Sequence, residues 1–284
     1  MSTDINEKID QAYKKMSKSH KLLARFVVDH GNEAAFLTAG ALGKRVGVSE
    51  STVVRFAMWL GYEGYPELQK ELQEILRSRL TGTQRLELSD GLSGTKLVEK
   101  VLKTDMDNIH DTMDKLDNNE FDGIVESIVA AKRIYVMGVR ASETIAKTLG
   151  LNLDLILDNV RTITESSNDD CEQLIHIKKG DVFVGISFPR YSKRTADAML
   201  FAKNHGARCI AITDSSLSPL MEYADQKIEV RCNTVSFVDS LVAPLSVINA
   251  LIAAVSMKKK NEFSETLAEM ETIWKKNHFY AAKK

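Results

Sequence analysis

The sequence predicts two domains of different class, an all-α N-terminal domain followed by an α/β domain on a parallel sheet. Three observations lead there. The first sixty residues read as successive amphipathic helices. From residue 133 onward, short apolar runs of strand length alternate with helical patterns. Within residues 180–219 a strand, a helix and a second strand follow one another in about thirty residues, a βαβ unit, which requires parallel pairing.

Composition is that of an ordinary globular protein. The 284 residues are 44% hydrophobic and 27% charged, and the net charge is −1. Residues 1–80 hold 12 Lys+Arg against 10 Asp+Glu, and the remainder 26 against 29. That mild asymmetry permits a nucleic-acid role for the N-terminal part without demanding one. Cys171, Cys209 and Cys232 show no paired spacing, and the six histidines are scattered. Neither a disulfide framework nor a metal site is expected, and no cofactor. The polar N-terminus has no signal-peptide core, and the most apolar tract, residues 241–255, contains Pro244 and Asn249. It is too short and too interrupted to span a bilayer, so a soluble, cytoplasmic protein is expected.

Taken in order, Ile5, Ile9, Tyr13 and Met16 predict a first helix. Leu22, Leu23, Phe26 and Val27 predict a second, closed by Gly31. Thr38 is a suitable N-cap for a helix through residue 46, and Gly47-Val48-Ser49 separates it from another over 50–60. Helix, short turn with Gly, helix is the arrangement of a helix-turn-helix. Gly43 leaves room where the two helices cross, Gly47 permits a positive φ, and Val53 and Phe56 pack the second helix back. The outward face then keeps Glu50, with Ser49, Ser51, Thr52 and Arg55 as candidates for base edges and phosphates, and Lys44 and Arg45 for backbone phosphates. The alternative is an ordinary pair of core helices with a solvated polar face.

The run Val48-Ser49-Glu50-Ser51-Thr52-Val53-Val54-Arg55-Phe56, then Leu60-Gly61-Tyr62-Glu63-Gly64-Tyr65-Pro66-Glu67-Leu68, resembles the helix-turn-helix and following segment of the RpiR-type bacterial transcription factors. The resemblance implies a domain at 1–80 that binds double-stranded operator DNA. A charged helix over 67–80 and a Gly/Ser-bearing linker at 81–94 follow. The second domain then spans 95–284. Leu97, Val101, Ile109 and Met113 lie at helical spacing over 96–116, a helix expected to pack against this domain or a partner subunit.

A helix over 121–130 leads to a strand at 133–137, a helix at 143–157, a short strand at 161–164 and a short helix at 171–176. The central βαβ unit is a strand at 182–186, a helix at 193–204 with Ala196, Met199, Leu200 and Lys203 on one flank, and a strand at 209–212. A strand at 227–231 and a long apolar helix over about 238–256 come next. Phe263, Leu267, Met270, Ile273 and Trp274 mark a terminal helix expected to dock.

Two strand ends supply similar loops, residues 138–142 and 187–192. Each opens a helix, and backbone N–H groups with the positive end of a helix suit an anion. Ser142 and Ser192 are expected to cap these helices. Residues 187–192, with 207–213, Ser218-Pro219-Leu220 and Ala224-Asp225, resemble the sugar isomerase (SIS) fold, whose phosphosugar loop reads S-x-S-G-E-T. The resemblance implies a three-layer α/β domain and an effector site using Ser187 and Ser192, with Ser142 and Tyr191 as further candidates from their places in the two loops. The chain departs from the pattern at Pro189, at Arg190 in place of Gly, at Tyr191 in place of Glu, and at Arg140 where Gly is common. Two arginines on two loops facing one pocket suit a phosphate or carboxylate. Ion pairs of Arg140 and Arg190 with Glu143, Asp169 or Asp170, or with a second subunit, are the other reading.

The sequence therefore points to a regulator of sugar or sugar-derivative metabolism under an anionic phosphosugar, acting as a homo-oligomer, dimer or tetramer. The alternatives are an isomerase-like enzyme with a helical assembly domain, and a sensor reduced to a dimerisation module. Glu143, Glu165, Glu172 and Glu222 are available as bases, but no motif singles one out and no catalytic residue is expected.

Overall fold

The chain folds into two units, one of residues 1–88 with 215–217 and the other of the remainder. The computed structural model describes residues 5–79, 81–87, 93–164 and 170–279. In the first unit come α1 (Ile5–Tyr13), α2 (Lys18–Asp29), α3 (Gly31–Ala34), α4 (Ala39–Val46), α5 (Glu50–Trp59), α6 (Tyr65–Arg79) and α7 (Gly82–Glu87). Ser17, Thr38 and Ser49 each accept a hydrogen bond from a first-turn N–H, which fixes where α2, α4 and α5 begin. Leu23, Leu42, Val53, Phe56 and Leu68 are wholly buried in the core these helices share.

Gly47 adopts φ 80° between α4 and α5, and a Cβ on Gly43 would lie 2.8 Å from the Val48 carbonyl oxygen. The turn therefore tolerates no side chain at its crossing point. Gly31 does not close α2, because His30 is its C-cap and Gly31 opens α3. The charged helix begins at Tyr65 with Pro66 in its first turn, where a missing N–H costs nothing. The stretch read as linker contains α7, while residues 88–92 fall outside the described residues.

The second unit holds α8 (Gly94–Lys115), α9 (Asn118–Ala130), β1 (Ile134–Gly138), α10 (Ala141–Leu157), β2 (Val160–Ile163), α11 (Asp170–Gln173), β3 (Val182–Ile186), α12 (Lys193–Asn204) and β4 (Arg208–Thr213). A 3-10 turn (Pro219–Glu222), β5 (Gln226–Glu229), α13 (Val242–Lys258) and α14 (Lys260–Lys276) complete it. Among the described residues the strands form one parallel sheet in the order β2-β1-β3-β4-β5.

Alternate side chains serve opposite faces. Ile134, Val136, Val184, Ile210 and Ile212 join α9, α10 and α13 in one core. Tyr135, Met137, Phe183 and Cys209 join α12 in the other. The domain is thus three layers, with helices on both faces of the sheet. Burial, with Asp225 acting the same way, pushes the Cys209 thiol up to about 12, as befits a core residue.

Three expectations shift. The long apolar helix begins at Val242 rather than near 238. The inward face of α8 is polar, with Asn108 and Thr112 buried, while Val98, Leu102, Met106 and Met113 are exposed. α14 has no fully buried residue, and Leu267 and Ile273 are exposed. No single helix among the described residues is long and apolar enough to cross a membrane.

Candidate functional site

Strand order reverses between β1 and β3, which are hydrogen-bonded neighbours with Gly138 level with Ile186. Their C-terminal loops must therefore emerge side by side, and this is where open α/β sheets offer a crevice. An open cleft of about 620 Å³ lies there. Arg140, Ser142, Ser187, Arg190, Tyr191 and Ser192 all line it.

Hydrogen bonds fix the second loop. Ser187 is buried, and its Oγ accepts from the Ser192 N–H at 3.0 Å. Thr213 Oγ1 donates to the Ser187 carbonyl at 2.7 Å, tying the loop to the end of β4. Ser192 N-caps α12 by accepting from Thr195 N–H at 3.3 Å. Tyr191 Oη donates to the Asp214 carboxylate at 2.9 Å. Ser142 is not the cap of α10. Arg140 occupies that position without a side-chain cap bond, and Ser142 is buried in the first turn.

The two arginines stand where backbone conformation suits glycine. Arg140 has φ 55° and ψ −125°, and Arg190 has φ 63°. For residues bearing a Cβ such conformations cost on the order of 1–3 kcal/mol each. Both side chains are exposed at the cleft. Among the acids weighed as their partners, Asp170 holds Arg194 through two bonds of 2.9 and 2.8 Å, and Glu143 pairs with Lys147 at 2.9 Å. Asp169 lies outside the described residues. Among the described residues Arg190 has no hydrogen-bond or ion-pair partner.

Sequence reasoning missed the facing wall. Phe237, Val238, Asp239 and Leu241 line the cleft from the segment before α13, about fifty residues beyond the nearer loop and outside any motif. Lys193 and Arg194, from the first turn of α12, line it too. The wall combines apolar area with one carboxylate, whereas the loops bring cations and hydroxyls. Glu143, Glu172 and Glu222 do not line the cleft, and Glu165 lies outside the described residues. Among the described residues no group of His, Cys, Asp and Glu could hold a metal ion.

In the first unit, α5 presents a polar edge. Ser49 Oγ lies 3.0 Å from Ser51 Oγ and 2.8 Å from Thr52 Oγ1, and Arg55 donates to Thr52 Oγ1 at 3.4 Å. Lys44, Arg45, Ser51 and Arg55 are exposed. Arg45 Nε pairs with Glu33 at 2.9 Å, so a phosphate would compete with that carboxylate. His20 packs on the edges of Phe56 and Trp59, and burial, then the Arg55 charge, lowers its pKa.

Residues 3–79 match the helix-turn-helix domain of the rpiR family, and residues 127–254 match the SIS domain. An uncharacterized HTH-type transcriptional regulator of Caldanaerobacter subterraneus is 25% identical over 97% of this chain and 100% of its own length. The sugar isomerase domain of an RpiR transcription factor from Sphaerobacter thermophilus is 26% identical, with a TM-score of 0.60 over 63% of this chain and 99% of that one. The Vibrio vulnificus NanR protein complexed with ManNAc-6P shares the fold at a TM-score of 0.60 and 19% identity, over 98% of this chain and 100% of its own. With both domains matched in that order, the chain belongs to the RpiR-type transcriptional regulators.

Proposed function

We propose that this regulator binds operator DNA through α5 and answers to a phosphorylated sugar or sugar derivative in the cleft between the β1 and β3 loops. It works as a homo-oligomer in the cytoplasm, without catalysing a reaction. The observation that carries the reading is the pair Arg140 and Arg190, each at a positive φ on a different loop of one cleft. Strain of this kind persists where the side chain is needed. Guanidinium groups beside the N-terminus of α12 form a strong anion site, and buried Ser142 and Ser187 add hydroxyls. Asp239 on the facing wall suits sugar hydroxyls rather than a second phosphate. That Vibrio vulnificus NanR, of the same fold, is complexed with ManNAc-6P agrees with the ligand class.

At the other end, Ser51, Thr52 and Arg55 would read base edges while Lys44 and Arg45 hold phosphates. The test is a thermal-shift screen of phosphorylated sugars and sugar acids, each beside its unphosphorylated counterpart, with operator binding followed by gel shift. A ligand at 100 times its dissociation constant stabilises by about 2.7 kcal/mol, a shift of several degrees. The expected hit needs its phosphate, changes operator affinity, and loses both effects in Arg190→Ala. Equal shifts by a sugar and its phosphate would overturn the reading.

A further inference from the structure

Resting on the pocket reading above, we infer that a hydrogen-bonded circuit couples the cleft to α8, the helix that follows the DNA-binding unit in sequence. Its first arm starts at the ligand loop. Tyr191 Oη donates to Asp214 at 2.9 Å, the Asp214 carbonyl accepts from Arg231 at 3.5 Å, and the Arg231 backbone N–H donates to Thr112 Oγ1 at 2.9 Å. Thr112 Oγ1 in turn donates a hydrogen bond to the Asn108 carbonyl at 2.7 Å. Asp214, Arg231, Thr112 and Asn108 are all buried.

The second arm returns along the facing wall. The Asn108 side-chain amide donates to the Asn233 carbonyl at 2.8 Å and accepts from the Asn233 N–H at 3.0 Å. Ser240 Oγ donates to Asp105 at 2.5 Å. Between those two anchors the chain carries Phe237, Val238 and Asp239 into the cleft. Both walls of the cleft are thus tied to one helix, at Asp105, Asn108 and Thr112.

The chemistry of the ties makes this more than proximity. A helix seated on apolar side chains can slide by fractions of an ångström with little change in contact. One seated on directional bonds keeps its register or loses several bonds together, because unpartnered buried polar groups are costly. α8 is seated in the second way, with its inward face polar and its apolar residues turned outward. A discrete change of register is the kind of element that two sites can bias. A ligand that draws Tyr191 or the 237–239 wall inward alters both arms.

The experiment follows backbone amide exchange in the full-length chain, in residues 104–113 and in loops 138–142 and 187–192. The probes are 6-phosphogluconate, glucose 6-phosphate and N-acetylmannosamine 6-phosphate at millimolar concentration. The proteins are the parent, Thr112→Val, Thr112→Ser and Ser240→Ala. A probe that slows loop exchange about fivefold is expected to change exchange in 104–113 at least threefold. Thr112→Val should keep the loop protection and lose the α8 response, and Thr112→Ser, which retains the hydroxyl, should restore it. Should Thr112→Val fail to fold, Ser240→Ala must still weaken the α8 response at least twofold. Loop protection with α8 unchanged in the parent, or variants that respond as the parent does, overturns the circuit and leaves the pocket reading standing. If no probe protects the loops, the pocket reading falls and the circuit with it.

Discussion

Arg140 and Arg190 hold backbone conformations that glycine adopts without strain, so on the proposed function stability and ligand response pull in opposite directions at both positions. Arg140→Gly relieves the strain at φ 55° and is expected to stabilise the second domain by about 1 kcal/mol, or about 2–4 °C in melting temperature. The same change, like Arg190→Gly, should weaken phosphosugar binding about tenfold or more. A variant that is neither more stable nor weaker in binding would show the arginine to be an incidental occupant. His20 gives a residue-scale prediction in the other unit. Burial against Phe56 and Trp59, reinforced by Arg55, lowers its folded pKa below the ordinary 6.5, so the unfolded chain takes up this proton first. Its contribution is therefore complete above about pH 6.5 and is lost as pH falls toward the depressed value. Melting temperature measured from pH 7.5 to 5 should fall less steeply in His20→Gln than in the parent.

Tyr65 opens α6, and its hydroxyl donates to the Leu37 carbonyl at 2.7 Å, with the Ala34 carbonyl at 3.2 Å. Gln69 and Gln73 donate to Leu37 and Ala35 carbonyls, so one face of α6 satisfies the backbone just after α3. Tyr65→Phe should cost about 1–2 kcal/mol of stability without touching the DNA surface, checked by thermal melting beside gel shift. On α5 the outcomes reverse: Arg55→Ala should cost about 1–3 kcal/mol of sequence-specific binding with little change in melting. Lys44→Ala should weaken all sequences alike and lower the salt slope by about one unit. The strands were legible because β1, β3 and β4 are apolar runs buried nearly throughout, a pattern specific to a covered parallel sheet. The start of α13 was not, since Val238 and Leu241 are apolar for the sake of a cleft wall, and hydropathy does not distinguish a wall from a helix. Periodicity found the stripe on α8 but not the direction it faces, which Asn108 and Thr112 decide through bonds to residues more than a hundred positions away. The two loops of the cleft could be read from strand-end position and hydroxyl content. The positive φ at Arg140 and Arg190 was signalled only by arginine standing where the SIS pattern has glycine.

At the scale of the molecule, those outward apolar faces need an explanation. A single exposed Leu is ordinary, but Val98, Leu102, Met106 and Met113 recur along one helix, and Leu267 and Ile273 are exposed on another. A second copy of the chain is the occupant that DNA recognition favours. One helix-turn-helix touches only a few base pairs, and a two-fold pair doubles that contact while matching a symmetric operator. Self-association also raises operator affinity by making the second half-site contact intramolecular. Light scattering at micromolar concentration is therefore expected to give at least twice the mass of one chain. Introducing Leu102→Glu with Met106→Glu places charge on the exposed face of α8 without touching Asn108 or Thr112. The double variant should shift the mass toward the monomer and weaken binding to a full operator far more than to a half-site, leaving any ligand-induced thermal shift in place. A parent that is monomeric at that concentration rules the arrangement out. A double variant that keeps the parent's mass moves the interface away from α8, to another exposed apolar face such as that of α14.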